Sequence, residues 1–276
     1  MSFYTSLSGL KAAQTDLSVT SNNIANVGTT GFKKSRAEFG DIVAASALQA
    51  ADTPGLGTRL RSLDQQFTQG SFQTSERVLD LAVSGQGFFV THSAVNGGTT
   101  AFTRSGAFKT DANNNVINSD GAFLQVLPVD DNGAATGADL ASTVNLQIPP
   151  TNTTSSDGAK LDNVSIDEKG LVVASYADGS SLKLGRIAIG NVSNPEGLRQ
   201  IGNASWTLTG RSGAAQVGAA GDDGFGAIQS GALEEANVDL TEELVTLIQA
   251  QRNFQANAKA IDTANQLTDT AVNLRN

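Results

Sequence analysis

Cysteine is absent from the 276-residue chain, which removes disulfides, zinc thiolate sites and cysteine nucleophiles together. Histidine is nearly absent: His92 stands alone among Thr91, Ser93, Asn96 and Gly97, a loop-like setting that suits a solvated side chain better than a catalyst. Positive charge is also scarce. Against 27 Asp and Glu there are 18 Lys and Arg, and the net charge of −9 repels a nucleic-acid backbone or an anionic lipid surface, so neither is an expected partner. No apolar run approaches the length of a membrane-spanning helix, so no membrane insertion is expected. The first residues lack the basic cluster and unbroken apolar run of a Sec-type signal, which leaves open export by a route that reads other features.

What the chain does have is an apolar stripe at each end, repeating every seven residues. Phe3, Leu10, Leu17 and Ile24 stand seven apart, with Leu7 and Ala13 near the second position of the seam. Leu240, Leu247, Phe254 and Ile261 do the same near the other end, with Leu244, Ala258 and Val272 on the companion row. A period of seven keeps one narrow stripe facing a partner helix, the arrangement of a coiled coil rather than the broader stripe of a helix on a globular core. Leu7, Leu10, Leu17, Ile24, Leu240, Leu244, Leu247, Phe254 and Ile261 are therefore the candidate assembly residues. Function is expected to lie in helix association.

Between the stripes the pattern changes. Phe3 to about Ala25 reads as a helix of roughly 35 Å, stopped by Asn22, Asn23, Asn26, Gly28 and Gly31. Residues 29–75 are polar and weakly patterned, with a turn at Pro54, Gly55 and Gly57, and read as an extended connector. From 76 to 235 short β-type runs alternate with turns: Val78 to Val83, Phe88 to Thr91, Ala101 to Thr103, Phe123 to Val129 and Val144 to Ile148. The clearest piece is a meander of Val164 to Ile166, Leu171 to Tyr176 and Leu182 to Ile189, whose turns contain Gly170 and Gly179. A Thr, Ser and Asn-rich stretch from Pro149 to Lys160 and a Gly and Ala-rich one from Gly210 to Gly226 read as surface loops or seams. The last helix is expected from about Val238 to Leu274, with Asp239 and Thr241 both candidate caps and Glu242 and Glu243 in the first turn. At roughly 55 Å it is too long for a small β domain to cover. The expected fold class is α+β: residues 1–28 with 236–276 as a coiled-coil-like helical inner domain, and an all-β middle domain.

Several motifs resemble chemical sites without the residues that chemistry needs. Gly85-Gln86-Gly87 suggests a phosphate loop, but no Lys-Ser or Lys-Thr follows, and Phe88-Phe89-Val90 reads as a strand. Asp111, Asn113 and Asn115 open like a calcium loop, yet Val116 stands where glycine is needed and Ala122 where a bidentate Glu belongs. A polar turn is the better reading. Asn-x-Ser/Thr triplets begin at Asn152, Asn163, Asn191 and Asn203, and carry little weight in a chain this rich in those residues. No catalytic residue, cofactor or metal site is assigned.

The segment Asn22-Asn23-Ile24-Ala25-Asn26-Val27, followed by Thr30-Gly31-Phe32-Lys33, resembles the bacterial flagellar rod and hook family of axial proteins. The likeness continues in Gly85-Gln86-Gly87-Phe88-Phe89-Val90, in Thr103-Arg104-Ser105-Gly106-Ala107-Phe108 with Asp111, and in Ser230-Gly231-Ala232-Leu233-Glu234 leading to Asn237-Val238-Asp239. It closes with Gln251-Arg252-Asn253-Phe254 through Lys259. Within the family, that ending, with Val272-Asn273-Leu274-Arg275, is similar to the hook subunit more than to the distal rod subunit; so are the runs 164–176 and 194–198. The chain is too short for the outer β domain that hook subunits usually insert, whose place would be the linker 151–160, and its length alone suits a distal rod subunit. The resemblance implies a homopolymeric tube with the terminal helices innermost. It also implies neighbours such as distal rod, hook cap and hook-filament junction proteins, delivery by the flagellar type III export apparatus, and a location in the flagellum outside the cell. The alternative from another class is a secreted β-rich enzyme or carbohydrate-binding module with helical ends, which clustered carboxylates in a cleft would mark.

Overall fold

The computed structural model describes residues 2–43, 55–93, 98–152 and 158–273, an α+β chain with one helix at each end. It divides into two compact units, one of residues 1–27, 34–66 and 238–276, the other of 28–33 and 67–237.

The first unit contains helix α1 (Ser2–Ala25), strands β1 (Ser35–Asp41) and β2 (Thr58–Gln65), and helix α2 (Leu240–Asn273). α1 ends where asparagines take over from the helical ladder: the Asn26 amide donates to the Asn22 and Asn23 carbonyls, and its side-chain Nδ2 donates again to the Asn22 carbonyl. α2 is capped by Asp239, whose Oδ1 accepts from the amides of Thr241 at 2.8 Å and Glu242 at 3.2 Å. Those two amides hold the Asp239 carboxyl below its ordinary range. Glu242 and Glu243 follow in the first turn, where the helix dipole favours negative charge. β1 and β2 pair antiparallel from Ser35↔Gln65 to Asp41↔Thr58, with a bulge between Glu38 and Phe39. This hairpin occupies the stretch that the sequence presents as an extended connector. None of its strand residues is fully buried, so no apolar alternation announces it.

The second unit is β-rich, and its hub is the twelve-residue strand Ser181–Val192. Along its length it pairs antiparallel with Leu171–Tyr176, Phe123–Leu127, Phe88–His92 and Ala215–Ala219. Successive side chains on a strand point to opposite faces, and here both faces are dry. Ile187, Ile189 and Phe89 join Phe108, Leu124 and Val172 in one buried cluster, whereas Ala188 and Phe88 join Phe102, Leu127 and Trp206 in another. That is why Phe88-Phe89-Val90 and Ile187-Ala188-Ile189 appear as continuous apolar runs rather than alternating ones. The meander turns close as expected, with positive φ at Gly170 (+73°) and Gly179 (+80°).

Two expectations change. The Gly and Ala-rich segment, expected to be a surface loop or seam, contains the strand Ala215–Ala219, and Val217, Ala219 and Ala220 are core residues. Its small residues serve packing: a Cβ on Gly218 would stand 2.4 Å from the Phe225 ring. The run from Val144 is a strand only over Val144–Asn145, although Leu146 and Ile148 are buried. In the Thr, Ser and Asn-rich stretch, Thr151 bridges Lys160 and the Asn152 amide donates to the Ala159 carbonyl, forming a narrow stem; residues 153–157 lie outside the described residues.

Candidate assembly surface

Within the first unit the two helices pack antiparallel, and they meet through small and polar residues. Gly9 faces Asn257, so closely that a Cβ on Gly9 would stand 2.7 Å from the Asn257 Oδ1. At the other end of the contact the Asn23 Nδ2 donates to the Glu243 Oε2 at 3.2 Å. Ala13, Thr20 and Ala250 are buried in the stretch between. Positions 9, 13, 16, 20 and 23 follow the four-three alternation of a helical seam, and 243, 250 and 257 repeat every seven. The period is the one the large apolar residues have, on a neighbouring row that shares Ala13 with theirs.

Asn23 is the node of this unit. It is 2% exposed, and besides Glu243 it exchanges two hydrogen bonds with Ser35: its Nδ2 donates to the Ser35 carbonyl at 2.9 Å and its Oδ1 accepts from the Ser35 amide at 3.0 Å. One side chain thus joins α1, β1 and α2. Asn23→Ala leaves the amide and carbonyl of Ser35 and the buried Glu243 short of partners, and is expected to destabilise this unit by roughly 2 kcal/mol. Urea titration followed by helix circular dichroism measures it; an unchanged midpoint would remove Asn23 from this role. Beside it, burial pushes the Asp16 carboxyl up.

The nine candidate assembly residues all stay open to solvent in the single chain. Leu7, Leu10, Leu17, Ile24, Leu247 and Ile261 are half-buried, and Leu240, Leu244 and Phe254 are exposed. Val245 and Ile248, which the seven-residue reading passes over, are more exposed than either Leu240 or Leu244. Leu7 also lines a groove of about 490 Å³ with Tyr4, Ala12, Ile42, Leu56 and Leu60, all within this unit. The side chain of Val272 and residues 274–276 lie outside the described residues.

In the second unit a buried charge cluster went unseen in the sequence. Lys33 Nζ stands 2.6 Å from Glu234 Oε1, and Arg104 Nη1 stands 3.1 Å from Glu234 Oε2. The side chains of Lys33 and Glu234 are 1% and 0% exposed and that of Arg104 is 6%. Each of the three sits in a motif quoted above, and the two cations share one carboxylate. Burial pulls the Lys33 ammonium's pKa down, against the opposing effect of Glu234. The segments that look like ligand sites are turns: Asp111 Oδ1 accepts from the amides of Asn113 and Asn115, both at 2.8 Å, with Asn114 at positive φ between them.

Three family patterns match the chain in order. The flagella basal body rod protein pattern covers residues 3–33, the flagellar hook protein FlgE/F/G D1 domain covers 82–174, and the flagellar basal body rod FlgEFG protein C-terminal pattern covers 229–274. The flagellar basal-body rod protein FlgG of Bacillus subtilis is 36% identical over 286 residues, taking in 99% of this chain and 98% of that protein. This chain belongs to the flagellar rod and hook family. FlgG of Borreliella burgdorferi is 33% identical over 286 residues, with 99% of this chain and 97% of that protein covered. The flagellar hook protein FlgE of Escherichia coli is 28% identical over an alignment of 416 positions that takes in all of both chains. This rod and hook family member is thus an axial structural subunit of the flagellum, hook and basal body. Its motifs now have physical roles: Asn23 joins three elements, and Lys33, Arg104 and Glu234 form one buried cluster.

Proposed function

We propose that this chain is a hook-type subunit of short form, polymerising into a tubular joint that carries torque from rod to filament. In that reading the terminal helices of many copies line the inner wall in coiled-coil-like contacts, through Leu7, Leu10, Leu17, Ile24, Leu240, Leu244, Leu247, Phe254 and Ile261. The observation that carries assembly is that none of these large apolar residues is fully buried in the single chain, and that Leu240, Leu244 and Phe254 are exposed, on helices whose mutual contact includes the small and polar residues Gly9, Ala13, Asn23 and Asn257. Many copies bury what one copy leaves wet. Residues 1–28 with 236–276 then serve as the inner domain, 29–75 as connector and 76–235 as the middle domain. Neighbours at the tube's ends would be distal rod, hook cap and hook-filament junction proteins, with delivery by the type III export apparatus.

The hook reading is supported by the hook-like closing residues from Gln251 to Arg275, and the stem at Thr151 and Lys160 is a place where an inserted domain would be tolerated without disturbing the core. A distal rod subunit is the second reading, favoured by the end-to-end match in length to the two FlgG proteins. Electron microscopy of basal bodies from cells lacking this chain separates the two. Full-length rods that end without a hook are expected. Rods cut short at the distal segment would overturn the hook assignment in favour of the rod.

A further inference from the structure

The buried charges of the second unit lie where the chain enters and leaves it. Three arms carry the chain across that boundary: residues 28–33, the segment beginning at Phe67, and the segment ending at Asn237. Glu234 belongs to the third and holds the other two. Its carbonyl accepts from the Gly31 amide at 2.8 Å, and its Oε1 accepts from the Gly70 amide at 3.0 Å and from Lys33 Nζ at 2.6 Å. Lys33 Nζ in turn donates to the Thr68 carbonyl at 2.6 Å, and Asn237 Nδ2 donates to that carbonyl at 3.2 Å and to the Thr68 hydroxyl at 2.8 Å. Backbone pairs complete the bundle, from the Glu235 amide to Ser71 and from the Asn237 amide to Phe32. Arg104 then fastens the bundle to the β core. Its Nη1 reaches Glu234 and the Val83 carbonyl, its Nη2 donates to the Gly85 carbonyl at 2.8 Å, and its guanidinium lies over the Phe88 ring.

We propose that Lys33, Arg104 and Glu234 form a load-bearing clamp, a buried charge knot that gathers the arms and ties them to the core so that they yield together rather than one by one. An arm held by backbone bonds alone peels sequentially, each bond meeting the whole load in turn. Arms tied through a shared carboxylate load in parallel. A buried ion pair is a poor source of net stability, but removing one partner strands a charge, and that asymmetry makes the junction all-or-none. Neither Glu234 nor Lys33 belongs to the helical rows assigned to assembly. The clamp is a property of the single chain; its load-bearing purpose rests on the reading of that chain as a tube subunit.

Amide hydrogen exchange on the full-length chain tests it. In Glu234→Gln two buried cations lose their counter-charge, and the amides of Gly31, Gly70, Glu235 and Asn237 are expected to exchange together, roughly 100-fold faster or more. The core amides of Leu146 and Ile187 should stay within about threefold of the unaltered chain. Lys33→Met leaves Arg104 and Glu234 as a matched pair, so no charge is stranded, but it cuts the ties from Lys33 to Glu234 and to the Thr68 carbonyl; it decides the matter if Glu234→Gln does not fold, with a joint acceleration of the same four amides expected, smaller than in Glu234→Gln. Acceleration confined to the one arm that lost its partner, or spread equally into the core, would overturn the clamp. Shear of assembled tubes tests its purpose: Lys33→Met tubes should fragment first, and equal resistance would overturn the load-bearing role. Failure of the unaltered chain to form tubes would instead count against the proposed function, leaving the exchange result standing.

Discussion

Leu10→Asp and Leu247→Asp chains are expected to fail to form tubes at concentrations where the unaltered chain is expected to polymerise. Both leucines are half-buried in the single chain, so a carboxylate at either position still reaches water and the subunit keeps its fold. In the proposed tube the same position would lie between helices, where an unpaired charge costs several kcal/mol, roughly 3 at the low end. At about 1.4 kcal/mol per decade, that raises the concentration needed for assembly roughly 100-fold or more for each contact made. Sedimentation and negative-stain microscopy read the loss, and circular dichroism checks that the β unit is intact. Tubes from both variants at the ordinary concentration would mean that these rows do not meet in the polymer.

The second large effect is on folding. Gly106 stands where the segment Arg104–Phe108 passes the strand Leu81–Ser84; its carbonyl accepts from the Leu81 amide, and a Cβ on it would stand 1.6 Å from the Leu81 carbonyl oxygen. Leu81 is wholly buried and that obstacle is backbone, so neither side yields without moving the strand. Gly106→Ala is expected to destabilise the β unit by about 3 kcal/mol, read as a lowered midpoint in denaturant with unchanged slope. Gly28→Ala is the control, because a Cβ there meets nothing within 4 Å. Equal stability of the two variants would contradict the close approach.

What the sequence made legible follows from which residues carry their own signal. Both helices and the meander from Val164 to Ile189 are legible because a long period or a glycine turn is local information; the structure extends the meander's outer strands to Leu161 and Val192. The hairpin Ser35–Gln65 is not legible, since its strands bury no residue fully. Ala215–Ala219 reads as a loop because glycine and alanine are both poor strand formers, and the Phe225 ring explains why Gly218 has no side chain. In the helices the large apolar residues drew the eye to one row. The contact within the chain uses a neighbouring row, marked by Gly9, Thr20 and Asn23 and sharing Ala13 with the apolar seam, where close approach selects smallness rather than hydrophobicity. The clamp was beyond reach from sequence: Lys33 and Glu234 are 201 positions apart, and nothing local says that either charge is buried.

Three-dimensional reconstruction of tubes assembled from the purified chain by electron cryomicroscopy tests the central claim most directly. α1 and α2 are expected on the inner wall, with Leu10, Leu247 and Phe254 packed against helices of neighbouring copies. A tube whose walls are held by β units alone, with the apolar rows of both helices still facing water, would contradict it.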